Sequence, residues 1–161
     1  MRREPQNRIS PKAVTVWKIT AAIWSIVELL VIIGISLLIF FFNWPKWIIP
    51  ILAIIWLVSS ICSIFIFPNI RLKIWRYEVH ENENELDLQH GLFTVTRVLV
   101  PMVRVQHVDT SQGPILRKYN LATVTISTAA TVHEIPALEM EEADQLRDYI
   151  SKLAREAKDD V

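Results

Sequence analysis

The sequence predicts a membrane-embedded helical hairpin followed by a small, mainly-β α+β domain that ends in a helix. Three observations lead there. Two apolar runs, Ile19–Phe42 and Trp47–Phe67, are separated only by Asn43-Trp44-Pro45-Lys46. From residue 71 the apolar pattern alternates, as in strands with one buried face. From Glu139 it changes again, to helical spacing.

Each apolar run is long enough to cross a bilayer core, which takes roughly 20 apolar residues in a helix. A soluble single domain would fit a chain of 161 residues, but a globular helix is rarely apolar on all sides for so long. A secretory leader is not expected, because Ile19–Phe42 is too long and ends in Leu-Ile-Phe-Phe-Phe rather than small residues. Residues 1–18 form a short polar segment in which Arg2, Arg3, Arg8, Lys12 and Lys18 outnumber Glu4. Ser10-Pro11 reads as a helix start, so the first helix is expected to begin near Ala13 rather than Ile19. The second helix is expected to exit at Pro68-Asn69, leaving Pro68-Asn69-Ile70 as the link to a domain at 71–161.

Charge gives the hairpin a direction. Arg71, Lys73 and Arg76 follow the second run, basic residues precede the first, and the turn carries only Lys46. By the positive-inside rule both termini are cytoplasmic and the turn lies outside, with Trp44 and Trp47 as an aromatic belt. Residues 1–70 carry six Lys/Arg against two acids, and residues 71–161 carry eleven against fifteen. A mildly acidic domain is not expected to bind nucleic acid, which needs a basic face. Cys62 is the single cysteine, so no intrachain disulfide or cysteine-based metal site forms.

Beyond residue 70 six strands are expected. Ile74–His80 alternates, Glu81–Asn84 turns, and Glu85–His90 alternates again up to Gly91. Leu92–Val100 and Val103–Asp109 follow, with Pro101 marking a bulge, strand end or edge. Ser111–Pro114 is a loop, Ile115–Tyr119 a single helical turn, and Asn120 a left-handed exit. Leu121–Thr128 is the clearest strand, and Thr131–Ile135 is the last. In the final helix Ala143, Leu146, Tyr149, Ile150 and Leu153 form one stripe expected in the core. Acids lie early and bases late, as the helix dipole favours.

Few residues invite chemistry. Glu28 lies inside the first apolar run, where an ionisable group is costly and marks a functional contact by default. Ser59, Ser60 and Ser63 of the second run are its candidate partners. Arg71, Lys73 and Arg76 are candidates for lipid headgroups as well as topology. His107 and Asp109 share a strand face and, with Ser111 or Ser127, would imitate a hydrolase triad. No nucleophile elbow accompanies them, and a membrane-bound hydrolase is the least favoured reading. His80, His90, His107 and His133 lack metal-ligand spacing. No metal or cofactor is expected.

One block is more specific: Arg104-Val105-Gln106-His107-Val108, Gln112-Gly113-Pro114 and Leu121-Ala122-Thr123-Val124. With the helical pair, IWRYEVHEN, HGLF and the terminal EEADQLRDYI, it resembles the bacterial pleckstrin-homology (PH) domain family of membrane proteins, in particular its small two-helix members. The resemblance implies a PH-like fold, a bent antiparallel sheet of about seven strands capped by the C-terminal helix. Since six strands are visible, the seventh is expected near the bend at Pro101. The resemblance attaches no reaction. It implies a larger membrane partner carrying several copies of the domain, with self-association as a further possibility. Arg104, Gln112, Gly113, Pro114, Arg117 and Lys118 then become candidate docking residues. The eukaryotic inositol-phosphate site does not carry over, since the stretch His80–Glu85 is acidic. The expected function is a non-enzymatic interaction or scaffold module in a membrane complex, serving envelope maintenance or defence. The alternative is an accessory subunit of a transporter or exporter.

Overall fold

The hairpin and the β-rich part form two compact units in the computed structural model, which describes residues 3–91 and 94–159. One unit is Val14–Asn69; the other joins the described residues of 1–13 to those from Ile70 onward.

The first helix, α1 (Ala13–Phe41), starts where Ser10-Pro11 predicts. The Ser10 hydroxyl accepts from the Lys12 amide at 3.3 Å, and the Ser10 carbonyl accepts from the Ala13 amide at 3.0 Å, so an otherwise orphan first-turn donor is satisfied. The turn after α1 places Asn43 at φ 52°, a left-handed geometry that asparagine tolerates. There the Lys46 ammonium lies 5.3 Å from the Phe40 ring centroid. The second helix, α2 (Ile48–Ile61), admits Pro50 in its first turn, where no amide partner is required.

The expected exit at Pro68-Asn69 is corrected. A π-helical turn, Cys62–Ile66, leads directly into α3 (Phe67–Ile74), making one apolar span of Ile48–Ile74. Pro68 lacks an amide hydrogen, and the wide turn absorbs that defect: the Phe67 amide reaches back to the Cys62 carbonyl. The helix therefore runs on past the boundary of the two units, and only Trp75 separates its end from the first strand after it, which begins at Arg76.

The β-unit holds two antiparallel sheets. One has the order β1-β2-β3-β4, from β1 (Asn7–Arg8), β2 (Arg76–His80), β3 (Glu85–His90) and β4 (Thr96–Pro101). The other has the order β5-β6-β7, from β5 (Val105–Ser111), β6 (Leu121–Thr128) and β7 (Val132–Glu139). Seven strands are present among the described residues, but the seventh is not at Pro101. The bend there is a 3₁₀ turn, Met102–Arg104. The additional strand is β1, from the N-terminal segment, paired Asn7 to Tyr77 and Arg8 to Arg76. The predicted strand Leu92–Val100 is observed from Thr96; its first two residues lie outside the described ones. β7 outlasts its predicted end at Ile135 because Pro136-Ala137 forms a bulge, with Ala137 at φ 54°, after which pairing resumes.

Asn120 takes the expected left-handed exit (φ 55°) after a short helix, α4 (Pro114–Lys118). The last helix, α5 (Met140–Asp159), buries Ala143, Ile150, Leu153, Ala154 and Ala157. Leu146 and Tyr149 are only half-buried, so the expected core stripe is rotated toward the alanines. It closes a core of Leu86, Leu88, Met102, Val105, Leu121, Val124, Ile126, Ile135 and Leu138, with Ile9 from the arm before α1.

Candidate functional site

The two helices of the hairpin are joined by polar groups that the long apolar runs conceal. Ser25 Oγ and Ser60 Oγ are 2.6 Å apart and buried, and Trp56 Nε1 donates to the Ser25 carbonyl at 3.0 Å. Ser25 was not among the residues singled out from sequence, although its spacing of three from Glu28 puts it on a neighbouring face. Ser60, expected as a Glu28 partner, belongs to this internal pair. Ser63 makes no hydrogen bond to Glu28 among the described residues.

Glu28 lies outside that arrangement. It is exposed, and its contact is the Ser59 hydroxyl at 3.5 Å, which also lies 3.2 Å from the Trp56 carbonyl. Fifteen residues separate it from Ala13 and thirteen from Phe41; at 1.5 Å per residue that is about 20 Å of helix on either side. A charge at such a depth costs about 2.5–3.5 kcal/mol on insertion scales, and one long contact does little to offset it.

The three basic residues after the second span are divided between elements. Arg71 and Lys73 lie in the last turn of α3, where cations suit the dipole. Arg76 is in β2, its Nη1 2.8 Å from Glu4 Oε2, so part of its charge is already neutralised by the arm. The docking set divides likewise. Arg104 precedes β5 and Gln112–Lys118 follows it; seven strand residues, about 20 Å, lie between. Gln112 Nε2 donates to the Leu121 carbonyl at 2.8 Å, and the Arg117 amide to the Gly113 carbonyl at 2.9 Å. These contacts hold the loop, leaving the exposed Arg117 and Lys118 heads for solvent or a partner.

His107 Nε2 and Asp109 Oδ2 are 3.1 Å apart, both well exposed. Ser127 stands opposite His107 in β6, yet no serine hydroxyl bonds to that imidazole among the described residues. The arrangement is a surface contact between two exposed side chains, without an activated nucleophile among the described residues. Among the described residues, no cluster of three or more His, Cys, Asp or Glu is placed to hold a metal.

The strongest electrostatic feature was hidden by alternation. Asp87, which the alternation of Leu86 and Leu88 places on the opposite face of its strand, is fully buried. Arg97 Nε donates to both of its oxygens at 3.0 Å, and His80 Nε2 lies 3.7 Å away. The Arg97 guanidinium also donates through Nη2 to the Arg3 carbonyl at 2.6 Å, and its pKa is raised above the ordinary value, first by the bond to Asp87. The arm is held along its length: Ser10 Oγ donates to Glu139 at 2.7 Å, Lys12 Nζ lies 3.0 Å from the same carboxylate, and the Ser10 amide donates to the Ala137 carbonyl at the β7 bulge. The arm's sequence signal is the Ser10-Pro11 pair, which marks a helix start and nothing of the strand before it.

A helical membrane pair continuous with a two-sheet, helix-closed β-unit defines a membrane-hairpin PH-type protein. A model of the family described as "Bacterial PH domain" matches residues 19–154, and the chain belongs to that family. Over all 161 residues, and the full length of both chains, it is 62% identical to the "UPF0699 transmembrane protein YdbS" of Bacillus subtilis (strain 168). No solved structure matches it.

Proposed function

We propose that this protein is a non-enzymatic scaffold that links a transmembrane helical contact to contacts made by its PH-like domain. The observation behind this reading is the β1–β2 pairing. The chain enters α1 four residues after β1 and leaves α3 one residue before β2. An anchor needs one attachment; here both chain ends of the hairpin lead into one sheet, the connectivity that a coupling role in this reading requires. In this reading both termini and the β-unit are cytoplasmic, since the basic flanks of the hairpin face that side. The partner is a larger membrane protein carrying several PH-like domains, on family analogy, in envelope maintenance or defence. A second reading, an accessory subunit of a transporter or exporter, is favoured by Glu28 if that carboxylate lines an ion route.

Purification from native membranes in mild detergent, with native mass spectrometry of the intact complex, tests this. A stoichiometric membrane protein with PH-like domains supports the scaffold. A transport subunit in that place supports the second reading. A homogeneous single chain with catalytic turnover contradicts both.

A further inference from the structure

The interior of the hairpin is complete without Glu28. Ser25, Ser60 and Trp56 make the buried polar joint of the two helices, and the Glu28 carboxylate touches the second helix only at the Ser59 hydroxyl, 3.5 Å away. It lies instead on an outward stripe of α1 with Trp24, Val31 and Ile35, residues four before, three after and seven after it, all exposed. The apolar members of that stripe suit lipid as well as protein. Glu28 suits neither lipid tails nor a purely apolar helix.

The chemistry of the occupant follows from what this chain lacks. Between Ile19 and Ile70 the only basic side chain is Lys46, in the turn at the end of the hairpin. A second copy would bring no cation to the depth of Glu28 and would oppose it with another carboxylate. Lipid phosphates carry the same sign and lie at the surface. What complements a mid-span carboxylate is an ammonium or guanidinium at the same depth, beside the Ser59 hydroxyl that donates to the carboxylate.

We propose that the Trp24–Glu28–Val31–Ile35 face of α1 docks a transmembrane helix of a different protein that carries a Lys or Arg at mid-membrane depth. This rests on the scaffold reading and specifies the partner's chemistry. The test is site-directed photo-crosslinking of the full chain in native membranes. A photoreactive side chain replaces Trp24 or Val31, one turn on either side of Glu28, and the cross-linked peptide is sequenced by mass spectrometry. The expected adduct joins an apolar span of another protein with a Lys or Arg within one turn of the cross-link. Its yield falls at least tenfold in Glu28→Leu and persists in Glu28→Asp, with membrane insertion of each variant measured in parallel. Glu28→Gln, the same shape without charge, gives an intermediate loss. An adduct to a second copy, or to a span without a basic residue, overturns the inference while leaving the scaffold reading standing. A yield unchanged in Glu28→Leu overturns it too. Cross-links to lipid alone, with insertion intact, overturn both.

Discussion

Tyr77 joins the arm, the strand that leaves the hairpin and the closing helix, so removing its hydroxyl tests how those parts are held. It pairs with Asn7 of β1 and is buried at 2% exposure. Its hydroxyl donates to Glu142 Oε1 of α5 at 2.5 Å. Tyr77→Phe keeps the ring and deletes that bond. A hydrogen bond to a charged group contributes about 1.5–3 kcal/mol. The lower end applies here, because Glu142 is partly exposed and recovers water. For a unit near 100 residues, about 1.5 kcal/mol lowers Tm by about 6–12 °C. Alkaline pH provides a second readout. Burial and, after it, the Glu142 carboxylate push the phenol well above its ordinary value of 10.0. A raised folded pKa means that this contribution is fully present below pH 10 and lost as pH rises beyond it. The wild-type protein should therefore lose up to about 1.4 kcal/mol per pH unit above 10 that Tyr77→Phe does not lose. Tyr149, held up to about 12 first by its bond to Glu81, titrates in both proteins and cancels. Circular dichroism melts of the full chain in detergent, from pH 7 to 11, measure both effects. A Tm change under about 2 °C at pH 7, or parallel alkaline limbs, would refute the reasoning.

Three further outcomes follow from the geometry. Gly91 sits at φ 126° and an added Cβ would lie 1.9 Å from the Thr94 carbonyl oxygen, so Gly91→Ala should cost at least the ~1–3 kcal/mol of backbone strain, read as a lowered urea midpoint. Ile150 is fully buried; Ile150→Ala should cost about 2–5 kcal/mol, whereas the half-buried Leu146→Ala should cost clearly less in the same titration. In the hairpin, Ser60→Ala breaks the bond to Ser25 and should lower helix-pair stability by about 0.6 kcal/mol, up to about 1.7. Ser59→Ala should leave detergent unfolding unchanged.

The hairpin was legible because lipid imposes one rule on some twenty residues at a time, and both runs satisfy it, Glu28 apart. Its continuation past Pro68 was not: proline normally ends a helix, and the π turn at Cys62–Ile66 that accommodates it has no composition of its own. In the β-unit, Glu85–His90 and Leu121–Thr128 were found to the residue, since their alternation matches one buried face. Alternation misled at Asp87. A carboxylate between two leucines reads as solvent-facing unless the arginine ten positions on is known to cover it. Of the candidate contact residues, Glu28 stood out through its cost in lipid, but the Ser25–Ser60–Trp56 contacts did not, because serine at a helix interface resembles serine anywhere else in an apolar run. β1 escaped entirely: two residues carry no period.

Because β1 is so short, its position depends on side chains around it, and Glu139 is the one that pH can address. The Ser10 hydroxyl and then Lys12 hold the Glu139 carboxyl below its ordinary range. A depressed folded pKa places this contribution above the unfolded value near 4.5 and removes it as pH falls through the folded one. Both partners belong to the arm, so acid should loosen residues 9–12 before it affects the core. Hydrogen exchange by mass spectrometry, corrected for intrinsic rates, should show protection of the Ser10 amide falling between pH 5 and 3 in the wild-type chain. Glu139→Gln should show lower protection throughout, with no step. Ile9 is anchored by burial rather than by charge, at 2% exposure, so the arm should loosen without leaving the sheet, and the 76–80 amides should keep their protection. Simultaneous loss in both segments would mean that the arm and β2 open as one element, and that the Glu139 contacts do not separately position the entrance to α1.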